Sequence, residues 1–361
     1  MPCTVEPAKI ANLVGAEHGV SFRAGAGVFQ LLRAGREFTA PHPCHATLTE
    51  ATTIHMSNGA KMRNPRPARF TPTRFSLAAA LVSLFLLAAS MAANAQLASP
   101  ISAAPTGNIS PGEIVWADLV TTDVESAVSF YTQVFGWQAH ASDDPGYVEL
   151  ASNDQFMAAV ARYEDNDIAA GNARWLVSIS VADVDHAASG IERQGGSILQ
   201  APEDLPDRGR FAVVADSQGA VFMLLRATGG DPFEGEAIIG SWGWAELWTQ
   251  DIRKAAEFYG ETIGYRAVHN PDNRSEQPVI FIMDKRPRAI AVKIPWEDVD
   301  PNWIPYVPVA DAGEILRRAV DAGGSIMLTS DDVGDDNGSF AAIIADPTGG
   351  VFGIQQAGGA R

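Results

Sequence analysis

Residues 115–137 read VWADLVTTDVESAVSFYTQVFGW, and residues 243–265 read GWAELWTQDIRKAAEFYGETIGY. Trp116/Trp244, Leu119/Leu247, Thr121/Thr249, Asp123/Asp251, Phe130/Phe258, Tyr131/Tyr259 and Gly136/Gly264 all coincide at an offset of 128. The same offset holds at Trp175/Trp303, at Asp183/Asp311 and at the Gly-Gly-Ser-Ile runs beginning at Gly195 and Gly323. It lengthens to 130 at Asp216/Asp346 and Gly219/Gly349, which places a two-residue insertion in the preceding loop. A period this long, held over most of the chain, marks a duplicated structural unit.

Each copy alternates strand with helix. Ile114 to Thr121 has the two-residue period of a strand, and Asp123 can cap a helix whose apolar face is Val124, Ala127, Val128, Tyr131 and Val134. Gly136 ends that helix, and strands follow near 137–141, 147–151 and 155–162. A second round brings a strand at 175–181, a helix at 183–194 stopped by Gly195-Gly196, and strands near 197–200, 210–216 and 220–226. The expected class is α+β, with four βαβββ modules in two tandem domains at 112–228 and 239–357 and a Gly/Pro-rich acidic linker at 229–238.

This pattern resembles the vicinal-oxygen-chelate superfamily of glyoxalases, bleomycin-resistance proteins and extradiol dioxygenases. The resemblance is carried by the Asp123-to-Gly136 and Asp251-to-Gly264 segments with their helical Phe-Tyr pairs. The turns Asp216-Ser217-Gln218-Gly219 and Asp346-Pro347-Thr348-Gly349 carry it as well. It implies curved mixed sheets that form cups, and in active members a divalent metal held by His, Gln or Glu from first and last strands. The implied first-strand ligand stands seven residues before the helix-capping Asp, and the last-strand ligand four residues after the turn glycine. Those positions are Trp116, Leu176, Trp244, Ile304, Met223 and Gly353 here, none of which suits a hard or borderline cation. The other two last strands, near 155–162 and 286–294, contain no His, Asp or Glu, so no metal and no cofactor are expected. His140, His186 and His269 fall outside the implied ligand positions and read as surface residues.

Because strand side chains alternate, the residue two beyond each implied ligand shares the cup face. That face is Trp116, Asp118 and Val120 in the first copy and Trp244, Glu246 and Trp248 in the second. Tyr306 joins it from the fourth module, whereas Trp175 and Trp303 lie one residue out of register and read as structural. Two readings of Asp118 and Glu246 stand. A carboxylate desolvated beside indole suits a general acid or base, and the same carboxylate can instead cap backbone or pair with an arginine such as Arg174, Arg210 or Arg288. Trp116, Trp244, Trp248 and Tyr306 are the candidate ligand-binding residues. The second copy is the preferred site because Trp248 adds an aromatic where the first has Val120.

The rest of the chain bears on location and partners. Residues 63–74 carry four arginines and no acid, Phe75 to Ala89 is uncharged and apolar, and Ala93-Asn94-Ala95 follows. This is the order of a secretory signal over 63–95 cleaved after Ala95, and the apolar run is shorter than the ~20 residues that span a bilayer. An exported protein, periplasmic or extracellular and with no stable membrane insertion, is expected. Residues 1–62 read as a spurious or disordered extension, with Met56 and Met62 as later starts, and residues 96–111 as a linker. Beyond residue 95 the chain has 17 basic and 39 acidic residues, a net charge of −22 that disfavours nucleic acid. Both cysteines, Cys3 and Cys44, precede that point, so the remainder has neither disulfide nor thiolate chemistry. Three functions fit: metal-free binding of a small, partly apolar organic molecule, a metal-independent lyase, isomerase or hydroxylase using Asp118 or Glu246, and a degenerate module of an envelope assembly.

Overall fold

The structure is a computed structural model that describes residues 99–102, 104–142, 144–153, 155–162, 173–232, 238–242, 244–268, 278–294, 299–330 and 340–357. The leader, its signal-like segment and His269 lie outside the described residues.

The first copy contains β1 (Ile114–Thr121), α1 (Val124–Phe135), β2 (Gln138–Ala141), β3 (Tyr147–Ser152) and β4 (Gln155–Arg162). Its second module is β5 (Arg174–Ser180), α2 (Val184–Arg193), β6 (Ser197–Leu205), β7 (Gly209–Ala215) and β8 (Val221–Ala227). The second copy repeats this with β9 (Trp244–Thr249), α3 (Ile252–Thr262), β10 (Arg266–Val268), β11 (Val279–Met283) and β12 (Arg286–Lys293). It ends with β13 (Asn302–Val309), α4 (Ala312–Asp321), β14 (Ser325–Thr329), β15 (Ala341–Ala345) and β16 (Val351–Gln356). Each helix begins where its preceding aspartate accepts a backbone N–H: Asp123 from Ser126, Asp183 from His186, Asp251 from Lys254 and Asp311 from Glu314. Gly136, at φ 73°, supplies the left-handed residue that stops α1.

Each copy makes one mixed eight-stranded sheet, in the order β2-β3-β4-β1-β5-β8-β7-β6 and its equivalent β10-β11-β12-β9-β13-β16-β15-β14. The modules meet within a copy, through antiparallel β1/β5 and β9/β13. Helices pack across copies. One core joins α1 residues such as Phe130 and Tyr131 to Val307, Ala319 and Phe352 of the second copy. The other joins Ala188 and Ile191 of α2 to Phe258 and Tyr259 of α3.

Alternation along β1 and β9 sorts their side chains. Ala117, Leu119, Ala245 and Leu247 enter the helix-side cores, while Trp116 and Trp248 join separate apolar clusters on the opposite, concave faces. Trp175 and Trp303 sit on the helix side, as their register requires. Strand β6 is longer than its apolar pattern indicates, reaching Leu205 through two register shifts. Among the described residues no helix is long and apolar enough to cross a membrane.

Candidate functional site

The first cup encloses about 650 Å³, counting its open mouth, and its lining includes Trp116, Asp118, Tyr147, Ser178, Arg208 and Phe211. Asp118, 9% exposed, is the hub of its polar side. The Trp116 indole Nε1 and the Tyr147 hydroxyl donate to the same oxygen of Asp118, at 3.1 and 3.2 Å. Arg208 Nη2 donates to the Tyr147 hydroxyl at 3.2 Å and to Glu149 Oε1 at 3.0 Å, and both members of that ion pair are buried. The Arg208 guanidinium also lies 3.9 Å from the Trp116 ring centre, so it already covers one face of the indole. Ser99 closes the far end of the network: its N–H and hydroxyl donate to Glu149 at 2.7 and 2.6 Å, and Ile101 joins the cup cluster.

Burial raises the proton affinity of Asp118 above the ordinary aspartate value. The nearby Arg208 charge and the Trp116 and Tyr147 hydrogen bonds oppose that rise without cancelling it. Burial likewise pushes the Tyr147 phenol well up, although the Arg208 charge acts against it. The cation beside Asp118 is thus Arg208, and the arginines that the sequence offered lie elsewhere. Arg210 pairs with Asp185 and Asp204 at the surface, Arg288 reaches Glu113 at 3.6 Å, and Arg174 is half-buried with Asp300 as its counter-charge.

The second cup uses the same residue classes differently. Glu246 is fully buried and accepts from Trp248 Nε1 at 3.1 Å and from the Tyr306 hydroxyl at 2.9 Å. Trp244, half-buried, packs at the edge of this cluster, and its indole Nε1 has no partner. Tyr306 stands opposite both Trp244 and Gly353, and a Cβ placed on Gly353 would collide with the Tyr306 ring. In the first cup, the equivalent of Tyr306 is Ser178, opposite Trp116 and Met223. The Tyr306/Gly353 pair of the second copy thus corresponds to the Ser178/Met223 pair of the first.

The six implied ligand positions carry indole, aliphatic, thioether and glycine side chains, and the Trp116 N–H is a donor already committed to Asp118. Among the described residues, no three or more His, Cys, Asp or Glu are grouped to hold a metal ion. This donor set does not fit the divalent metal that the resemblance implies. His186 is exposed on α2, and His140 is exposed on edge strand β2, where it packs edge-on to Phe156.

A family model described as Glyoxalase/Bleomycin resistance protein/Dioxygenase superfamily matches residues 113–224. The anthracycline biosynthesis protein DauV of Streptomyces sp. (strain C5) is 33% identical over 258 residues, covering 68% of this chain and 93% of that protein. DnrV of Streptomyces peucetius, also described as an anthracycline biosynthesis protein, is 32% identical with the same coverage. The chain belongs to the glyoxalase/bleomycin resistance protein/dioxygenase superfamily. Among solved structures, the Mn(II)-bound glyoxalase from Novosphingobium aromaticivorans aligns at 13% identity with a TM-score of 0.48, covering 69% of this chain and 83% of that one.

Proposed function

We propose that the first cup binds a small, partly apolar organic molecule without a metal. The observation that carries this reading is the first cup's cavity, where Leu176, Phe211, Met223 and Leu225 stand beside Asp118, Ser178 and Arg208. Apolar walls with a few convergent polar groups are what a small-molecule site needs. The two Streptomyces relatives, matched over 258 residues, are described as anthracycline biosynthesis proteins, which supports an aromatic organic ligand. The arginine-rich, apolar and A-x-A segments over residues 63–95 support a place of action outside the cytoplasm. The test is a screen of aromatic compounds by tryptophan fluorescence on protein dialysed against a chelator. Binding should survive chelation, and hits that bind only after a divalent metal is restored would refute the metal-free reading.

A second reading rests on Asp118. A carboxyl group with raised proton affinity, facing a cavity and held by two hydrogen-bond donors, can give or take a proton at a bound ligand. If the screened ligands are turned over, Asp118→Asn should abolish turnover and leave binding largely intact. Turnover retained in that variant would remove Asp118 from the chemistry.

A further inference from the structure

We propose that Arg208 makes the first cup selective for an uncharged, planar aromatic ligand bearing a keto or quinone oxygen. This rests on the reading of that cup as a ligand site. Arg208 is 4% exposed and lines the cavity, yet its Nε and Nη1 have no hydrogen-bond partner. Only Nη2 is used, by Tyr147 and Glu149. Donors buried without acceptors are rare in folded proteins, and the side chain that carries these two lines the cavity. The hydroxyl of Ser178, fully buried on the same lining, is also without a partner and can donate to a second oxygen.

Charge decides which acceptor fits. The guanidinium faces two carboxylates, Glu149 at 3.0 Å and Asp118 across the shared Tyr147 hydroxyl. A ligand carboxylate would bring a third acid toward one cation in a weakly screened site, whereas a carbonyl oxygen accepts from Nε or Nη1 and adds no charge. The remaining walls, with Leu176, Phe211, Met223 and Leu225, favour an aromatic hydrocarbon frame.

Three probes that share one ring system separate these possibilities: 9-fluorenone, fluorene and fluorene-9-carboxylate, titrated into the full chain by calorimetry at neutral pH. Wild type should bind fluorenone at least roughly ten-fold tighter than fluorene, and tighter than the carboxylate. In Arg208→Met combined with Glu149→Gln, which removes the buried pair together, the ratio of fluorenone to fluorene affinity should fall to about one. A circular dichroism melt checks that this variant folds, and the wild-type ratio stands without it. Equal binding of fluorenone and fluorene to wild type would overturn the selectivity and leave the cup as a ligand site. Tightest binding of the carboxylate would also overturn it. If no probe binds, or if Ser178→Tyr with Met223→Gly binds as well as wild type, the cup reading falls and the selectivity with it.

Discussion

The hydroxyl of Tyr131 in the first copy donates to Asp346 Oδ2 in the second at 2.8 Å, and the indole of Trp175 donates to that hydroxyl at 2.9 Å. The second copy returns the arrangement: Tyr259 donates to Asp216 at 3.2 Å, and Trp303 to Tyr259 at 3.0 Å. The other oxygen of each aspartate accepts turn N–H groups, from Gln218 and Ala220 in one case and from Thr348 and Gly350 in the other. Each helix tyrosine thus ties its own copy to the last hairpin of the other, inside a shared apolar core. The two sheets are joined by buried polar bonds as well as by apolar contact.

Tyr131→Phe keeps the ring in place but leaves the Trp175 N–H and one Asp346 oxygen unmet in a dry core. The expected cost is about 1–3 kcal/mol of folding stability, with a similar loss for Tyr259→Phe. Urea denaturation read by tryptophan fluorescence measures both. Unchanged midpoints would mean that these bonds contribute nothing to the joint between copies.

The packing of Tyr306 against Gly353 in the second cup can be tested directly. Gly353→Ala forces a methyl into the Tyr306 ring, and overpacking of this kind costs about 1–3 kcal/mol. Adding Tyr306→Ser removes the obstacle and imitates the first copy, so the alanine penalty should shrink sharply in that background. A double-mutant cycle with no coupling would show that the contact is not tight.

The reverse change addresses the first cup. Ser178→Tyr alone meets Met223, its register partner on β8, so Met223→Gly is introduced beside it to reproduce the second copy's pair. The doubly substituted protein should fold and should lose most affinity for any ligand of the first cup. Full affinity in a folded variant would place the ligand somewhere else on the molecule.

Much of this was legible in the sequence because two kinds of signal are local or repetitive. The 128-residue offset exposes the duplication, and two-residue alternation puts Trp116 with Asp118 and Trp244 with Glu246 on the concave faces. What stayed hidden depends on distant partners. Tyr131 lies 215 residues from Asp346, and no periodicity carries that pairing. Arg208 was missed for a different reason. Its neighbours Asp207 and Gly209 have φ values of 63° and 129°, and β6 shifts register twice before the turn, so strand parity fails there. Arg210, two residues on, points outward to Asp185 while Arg208 points into the cup. The preference for the second copy counted aromatic residues, and what that count could not show is that Trp248 and Tyr306 both turn their polar atoms onto Glu246.

The last prediction concerns Asp118 and pH. Desolvation is the largest influence on this carboxyl and raises its folded-state pKa above the ordinary aspartate value of 3.8. Between that value and the raised one, the folded state binds the proton more tightly than the unfolded state does. Stability from the protonated form is therefore fully present below pH 3.8 and is lost as pH rises through the folded-state value. Asp118→Asn keeps the shape and an acceptor for Trp116 and Tyr147 but cannot ionise. The stability difference between variant and wild type should move in the variant's favour as pH rises above 3.8, then level off once wild-type Asp118 is ionised in both states. Groups common to both proteins cancel in that difference, so denaturation midpoints at a series of pH values isolate this one carboxyl. A difference that stays flat across the range would mean that Asp118 ionises as readily folded as unfolded, and its candidacy as a proton donor or acceptor at the cup would go with it.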